Sequence, residues 1–275
     1  MAHLGWMITR ILSALSIFAA SALPLAAQDR FDMPVSGEIL HGWQQADGTR
    51  MAAIRLVLAP GWKTYWRSPG DAGIPPQFDW SRSRNLGSVG ITWPAPKVYR
   101  EGGVVTIGYK DELVLPITLA PRQAGDPIKV NTTLDIGVCS DICIPHRMKL
   151  TATIADNSTN VTPKIAAALA ARAYTAKEGG VRSATCALRP NADGLEITAK
   201  LSLPSLGGGE VVVIEPGQPN IWMSETDVSR NGAQLTATGD LIANAGGAIA
   251  IDRSRVKITV ISDSTAVEIN GCAPG

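Results

Sequence analysis

The chain has 275 residues, of which 45% are hydrophobic and 18% charged, with 25 Lys and Arg against 24 Asp and Glu. So neutral a balance removes the electrostatic basis for binding nucleic acid or an anionic membrane surface. The length and apolar content are sufficient for one large core or two medium ones.

Residues 1–27 carry one formal charge, Arg10, followed by an apolar run from Ile11 to Ala20 and small residues up to Ala27. That order predicts a Sec-type signal peptide cleaved after Ala27, with an uncleaved anchor as the alternative. Cleavage would leave 24 basic and 24 acidic residues. From 28 to 156 the chain alternates in the manner of strands. "PIKVNTTLDIGVC" puts Ile128, Val130, Thr132, Leu134 and Ile136 on one face, and "MKLTATIAD" does the same for Met148, Leu150, Ala152 and Ile154. Period-two patterning broken by Gly and Pro predicts a β-sandwich or barrel.

Residues 157–180 break this pattern. The segment is Ala-rich, has Pro163 where a first helical turn accepts it, and ends in Gly179-Gly180, which predicts a short helical linker or brace. Residues 181–275 return to strands, among them "LEITAKLSL", "EVVVIEP", "AQLTATGDL", "GAIAIDR", "VKITVIS" and "TAVEING". The fold class expected is all-β: one sandwich, a helical linker and a second, smaller β-sandwich.

Four cysteines in an exported chain imply disulfide chemistry. Sequence distance divides them into Cys139 with Cys143 and Cys186 with Cys272. Bridging Cys139 to Cys143 requires Ser140, Asp141 and Ile142 to turn tightly, because an extended C-x-x-x-C would hold the Cα atoms about 13 Å apart. Pro145 restricts the exit from that turn. So small a loop contributes little as a staple, which leaves three uses open: redox exchange, structure or metal binding. For metal, Cys139, Cys143, His146 and Met148 form a soft set suited to copper(I). His146 could also stabilise a thiolate, and Asp141 would oppose one. A long loop closed by Cys186 and Cys272 reads as a structural clamp.

The stretches "GWKTYWRSPGDAGIPPQFDWS", "ITWPAPKVYREGG", "IGYKDELVLPITL" and "GVCSDICIPH" together resemble the amino-terminal periplasmic domain of the DsbD and ScsB thiol:disulfide interchange proteins. "TAVEINGC" is similar to the end of the second domain of the ScsB-like branch. The resemblance covers roughly residues 35–155. It implies an immunoglobulin-like fold, a periplasmic location and a redox-active pair at Cys139 and Cys143, with the second cysteine as the attacking one. It also implies a membrane thiol relay of the DsbD/CcdA type as one partner and periplasmic thioredoxin-like or disulfide-isomerase proteins as others, with no cofactor. Those partners would be separate proteins. The alternative function is a non-catalytic copper(I)- or ligand-binding module.

Two departures from the family pattern stand out: a three-residue spacer between the cysteines, and Gly102-Gly103 where an aromatic cap is expected. We therefore expect an aromatic ring elsewhere to shield the pair, Trp66 or Tyr99, with Trp80 in the core.

Overall fold

The structure is a computed structural model describing residues 33–275 apart from 71, 156–158 and 245. The predicted signal peptide, 1–27, lies outside the described residues. Among the described residues no helix is long and apolar enough to cross a membrane.

The first ten strands make two facing antiparallel sheets. One orders as β1 (Val35–Gln44), β2 (Arg50–Leu58), β8 (Glu112–Pro121) and β5 (Leu86–Ile91). The other orders as β10 (Cys143–Ile154), β9 (Ile128–Cys139), β3 (Lys63–Gly70), β7 (Val104–Lys110) and β6 (Lys97–Glu101), with β4 (Gln77–Asp79) also paired to β9. The alternation read from the sequence sets the inward faces. Ile128, Val130, Leu134 and Ile136 of β9 are buried against Ile54, Leu56, Leu115, Ile117 and Leu119 of the opposite sheet. Leu150 and Ile154 join them from β10, with Met148 and Ala152 packed alongside.

The helix α1 (Pro163–Ala170) is a brace on the first sandwich. Its Ile165 is buried against Met51 and Ala53, on the face of β2 turned away from the main core. This second apolar face explains why β2 is buried at nearly every position. The helix has Pro163 at its start, and the Thr162 hydroxyl donates to the His41 carbonyl rather than capping the helix.

The second sandwich pairs one sheet ordered β11 (Tyr174–Thr175), β19 (Ala266–Asn270), β18 (Lys257–Ile261) and β14 (Val211–Glu215) with another. The latter orders as β15 (Ile221–Met223), β17 (Gln234–Ala243), β13 (Leu195–Ser202), β12 (Ser183–Pro190) and β20 (Ala273–Pro274), with β16 (Asp227–Asn231) also on β17. The predicted strand at "GAIAIDR" does not form. Residues 247–253 are irregular: Ile249 and Ile251 pack on the second core, but their backbone finds no ladder partner. Cys186 sits inside β12, buried in this core, and bonds to Cys272 with Cα atoms 5.7 Å apart.

The two sandwiches are joined by more than the connecting chain. Ile261 and Ala266 belong to the first core, and Val211 and Val213 pack against it. Beside that contact, the Arg67 guanidinium on β3 donates to Glu215 at 2.8–3.2 Å and to Glu268 at 2.8 Å. Burial pulls the Arg67 pKa down, but the bonds to the two carboxylates outweigh it, so the net shift is upward.

Candidate functional site: a hairpin disulfide under a tyrosine

Strands β9 and β10 form a hairpin closed by Ser140, Asp141 and Ile142, with the Ser140 amide donating to the Ile142 carbonyl at 3.0 Å. This turn sets Cys143 directly opposite Cys139, and the two are disulfide-bonded with Cα atoms 4.2 Å apart. Their environments differ. Cys139 is 1% exposed, because β3 flanks β9 on its other side. Cys143 is exposed, because β10 is the edge of the sheet. Pro145, next but one, is exposed on the same edge strand, where a missing N–H is tolerated. Asp141 is exposed at the turn.

The backbone register extends this pair into a row across four strands. Cys143 faces Cys139, Cys139 faces Lys63 on β3, and Lys63 faces Lys110 on β7. One residue pair along β3, the ring of Tyr65 lies over the sulfurs. Its hydroxyl is 2.7 Å from Cys139 Sγ and 3.3 Å from Cys143 Sγ. The flanking positions are bare: Gly108 pairs with Tyr65 from β7, and a Cβ built on Gly137 of β9 would meet the Tyr65 ring at 3.0 Å and Ile74 Cβ at 2.7 Å. Burial, then the Glu101 carboxylate, push the Tyr65 pKa up, so the phenol keeps its proton and remains a donor.

These placements correct three expectations. Trp66 is not beside the pair. It is 1% exposed within the main core, since Trp62, Thr64 and Trp66 point inward while Lys63, Tyr65 and Arg67 occupy the outer face. Trp80, assigned to the core, does pack against it while remaining partly exposed. Tyr99 on β6 lies three strands from β9, its ring flanked by Lys63 Nζ at 5.4 Å and Lys110 Nζ at 4.6 Å from the centroid. The copper(I) set is also split. Strand alternation sends Cys143 and Cys139 to the outer face but His146 and Met148 to the inner one, where Met148 packs on the core. Among the described residues no group of three or more His, Cys, Asp or Glu is arranged to hold a metal.

The stretch expected to carry a cap is the β6–β7 hairpin, closed by Gly102 and Gly103 at φ +60° and +81°, the left-handed pair that a two-residue hairpin turn requires. Instead of an aromatic tip it brings Glu101, which accepts from Lys63 Nζ at 2.6 Å and lies 3.5 Å from Lys110 Nζ. The hydrogen bond and charge of Lys63 hold the Glu101 carboxyl below its ordinary range. A wider cleft of about 660 Å³ opens between the sandwiches beyond Arg67, lined in part by Val105, Val211, Pro219 and Trp222. It does not contain the sulfurs.

The first sandwich is thus immunoglobulin-like, with a cross-strand disulfide at a hairpin tip. Residues 36–155 match the family described as the N-terminal domain of thiol:disulfide interchange protein DsbD, which supports a domain of that kind in this part of the chain. Thiol:disulfide interchange is accordingly its general activity. The structure is similar to the N-terminal periplasmic domain of ScsB from Proteus mirabilis, at 22% identity and a TM-score of 0.64, over 88% of this chain and 92% of that one. The likeness covers both sandwiches and shows a shared fold. The DsbD N-terminal domain of Neisseria meningitidis, in the reduced form, aligns at 16% identity with a TM-score of 0.27, over 44% of this chain and 86% of that one. No curated protein matches the chain in sequence.

Proposed function

We propose that the protein carries electrons through Cys139 and Cys143 in the periplasm, taking them from a membrane thiol relay and passing them to disulfide-bearing periplasmic proteins of the thioredoxin-like or isomerase kind. The observation that carries this reading is the asymmetry of the pair: one sulfur open at a sheet edge, the other buried under a phenol. The location rests on the periplasmic ScsB domain that shares the fold, and on the signal peptide predicted at 1–27.

In the reductive half, a relay thiolate attacks Cys143 Sγ in line with the disulfide. The Cys143–Cys139 bond breaks, its electron pair goes to Cys139 Sγ, and Tyr65 donates a hydrogen bond to the thiolate that forms. A second relay thiolate then displaces Cys143 from the mixed disulfide, leaving the relay oxidised and both cysteines reduced. In the oxidative half, the Cys143 thiolate attacks a partner disulfide, and Cys139 resolves the adduct to restore the bond. Cys143 is the sulfur in every mixed disulfide. Cys186 and Cys272 take no part and clamp the second sandwich.

The test is trapping in the periplasm. Cys139→Ala should accumulate mixed disulfides through Cys143 with thiol proteins identifiable by mass spectrometry, and Cys143→Ala should accumulate few. Adducts formed mainly through Cys139, or none in either variant, would overturn the scheme.

A further inference from the structure

Lys63 has no evident reason to be buried. It is 6% exposed on the outer face of the sheet, and its carboxylate partner Glu101 is itself 56% exposed on the hairpin. Burying an ammonium is costly, and a half-solvated partner recovers little of that cost. The position has another neighbour. Lys63 is the cross-strand partner of Cys139, and residues directly opposite on one face hold their Cβ atoms about 4.5–5.5 Å apart. Lys63, Glu101, Lys110, Cys139 and Asp141 share the lining of a single hollow of about 170 Å³.

We propose that Lys63 supplies the positive charge that stabilises Cys139 as the leaving thiolate, and that Glu101, on the β6–β7 hairpin, attenuates that charge. The inference rests on the interchange reading in one respect, that the disulfide opens. The groups facing Cys139 are Lys63 and Tyr65 from β3, Glu101 and Lys110 from the β6–β7 hairpin, and Asp141 from the turn. With the disulfide closed, two cations face two carboxylates and the hollow is neutral. When a thiolate attacks Cys143 Sγ and the bond pair moves to Cys139 Sγ, a third anion appears beside Lys63. The ammonium then has a partner deeper than Glu101, in a setting that screens charge less than water does. Tyr99 keeps Lys63 in place with its ring face and adds no charge of its own.

This arrangement separates a charge effect from mere bracing, because Lys63 and Glu101 should act with opposite signs. Removing Lys63 should raise the Cys139 pKa, and removing Glu101 should lower it. Loss of a structural salt bridge would move both variants the same way.

The experiment titrates Cys139 as the single free thiol of the Cys143→Ala protein, with Cys186–Cys272 intact, by thiolate ultraviolet absorbance against pH. Lys63→Met should raise the pKa by about one unit or more, the usual effect of a nearby opposite charge. Lys63→Arg should restore it to within a few tenths, and Glu101→Gln should lower it. In the protein with both cysteines, dithiothreitol should open the Cys139–Cys143 bond several-fold more slowly in Lys63→Met and faster in Glu101→Gln. An unchanged or raised pKa in Glu101→Gln overturns the inference even if Lys63→Met fails to fold. So does a Lys63→Arg protein that folds and titrates like Lys63→Met. The titration needs no redox partner, so a failure to trap partners in the periplasm would sink the interchange scheme and leave this result standing.

Discussion

Tyr65→Phe removes one oxygen atom from the hairpin disulfide and leaves the ring in place. The hydroxyl is 2.7 Å from Cys139 Sγ, the sulfur that becomes anionic when Cys143 is attacked. A hydrogen bond to a charged acceptor contributes about 1.5–3 kcal/mol. With roughly half of the charge on the leaving sulfur at the transition state, the barrier should rise by about 0.7–1.5 kcal/mol, which is about a 3- to 13-fold slower opening. The closed disulfide also loses a contact with the hydroxyl, which biases the effect toward the lower figure. The assay is reduction of the purified protein by excess dithiothreitol, quenched by alkylation and read as a mass shift. The control is Tyr109→Phe, whose hydroxyl donates to the Pro94 carbonyl at 2.9 Å and touches neither sulfur. Equal rates for Tyr65→Phe and the unaltered protein, or equal slowing by Tyr109→Phe, would refute the assignment of a donor role to Tyr65.

Trp66→Ala should lower the stability of the first sandwich by about 3–5 kcal/mol in a denaturant melt, as for other large buried aromatics, because the ring is core and not shield. Replacing Cys186 and Cys272 together by Ser opens a loop of 86 residues, worth about 4.6 kcal/mol on the chain-entropy model, against about 1.9 for the four-residue separation of Cys139 and Cys143. Thermal unfolding should register that loss while reduction of Cys139–Cys143 keeps its rate. Glu178 is held at about 2, against an ordinary 4.5, by hydrogen bonds from Arg172 and Thr175. Its folded pKa is depressed, so its contribution is full above pH 4.5 and disappears as pH falls toward 2. Glu178→Gln should therefore flatten the acid limb of a stability–pH curve over that window, and an unchanged limb would discount the interaction.

The inward faces of β9 and β10 were legible because a half-buried strand declares itself by alternation: Ile128 to Ile136 and Leu150 to Ile154 are where the period puts them. The strands that failed or misled did so for want of a partner visible in sequence. "GAIAIDR" has the right side chains, but its backbone meets no neighbouring strand. The second buried face of β2 depends on α1, more than a hundred residues downstream. At the site, the sequence offers Trp66 or Tyr99 as the shield, and what separates Trp66 from the neighbouring Tyr65 is parity. With Trp66 inward, alternation turns Lys63, Tyr65 and Arg67 outward together. Which cysteine is buried follows from the pairing of Lys63 with Cys139, a contact across 76 positions that no local spacing encodes.

Gly137 carries a consequence for how changes at this site would be inherited. It has no side chain to donate, accept or ionise, yet a single methyl there would meet Ile74 Cβ at 2.7 Å, which must shift, and the Tyr65 ring at 3.0 Å, which must give by a few tenths of an ångström. Moving the ring shifts its hydroxyl relative to both sulfurs. If the pair carries electrons as proposed, a genetic screen for lost transfer should score position 137, although the lesion is one of volume. The surroundings of the pair are shaped partly by vacant space, and a substitution table built on chemical similarity would rank Gly137→Ala among the mildest changes in the chain.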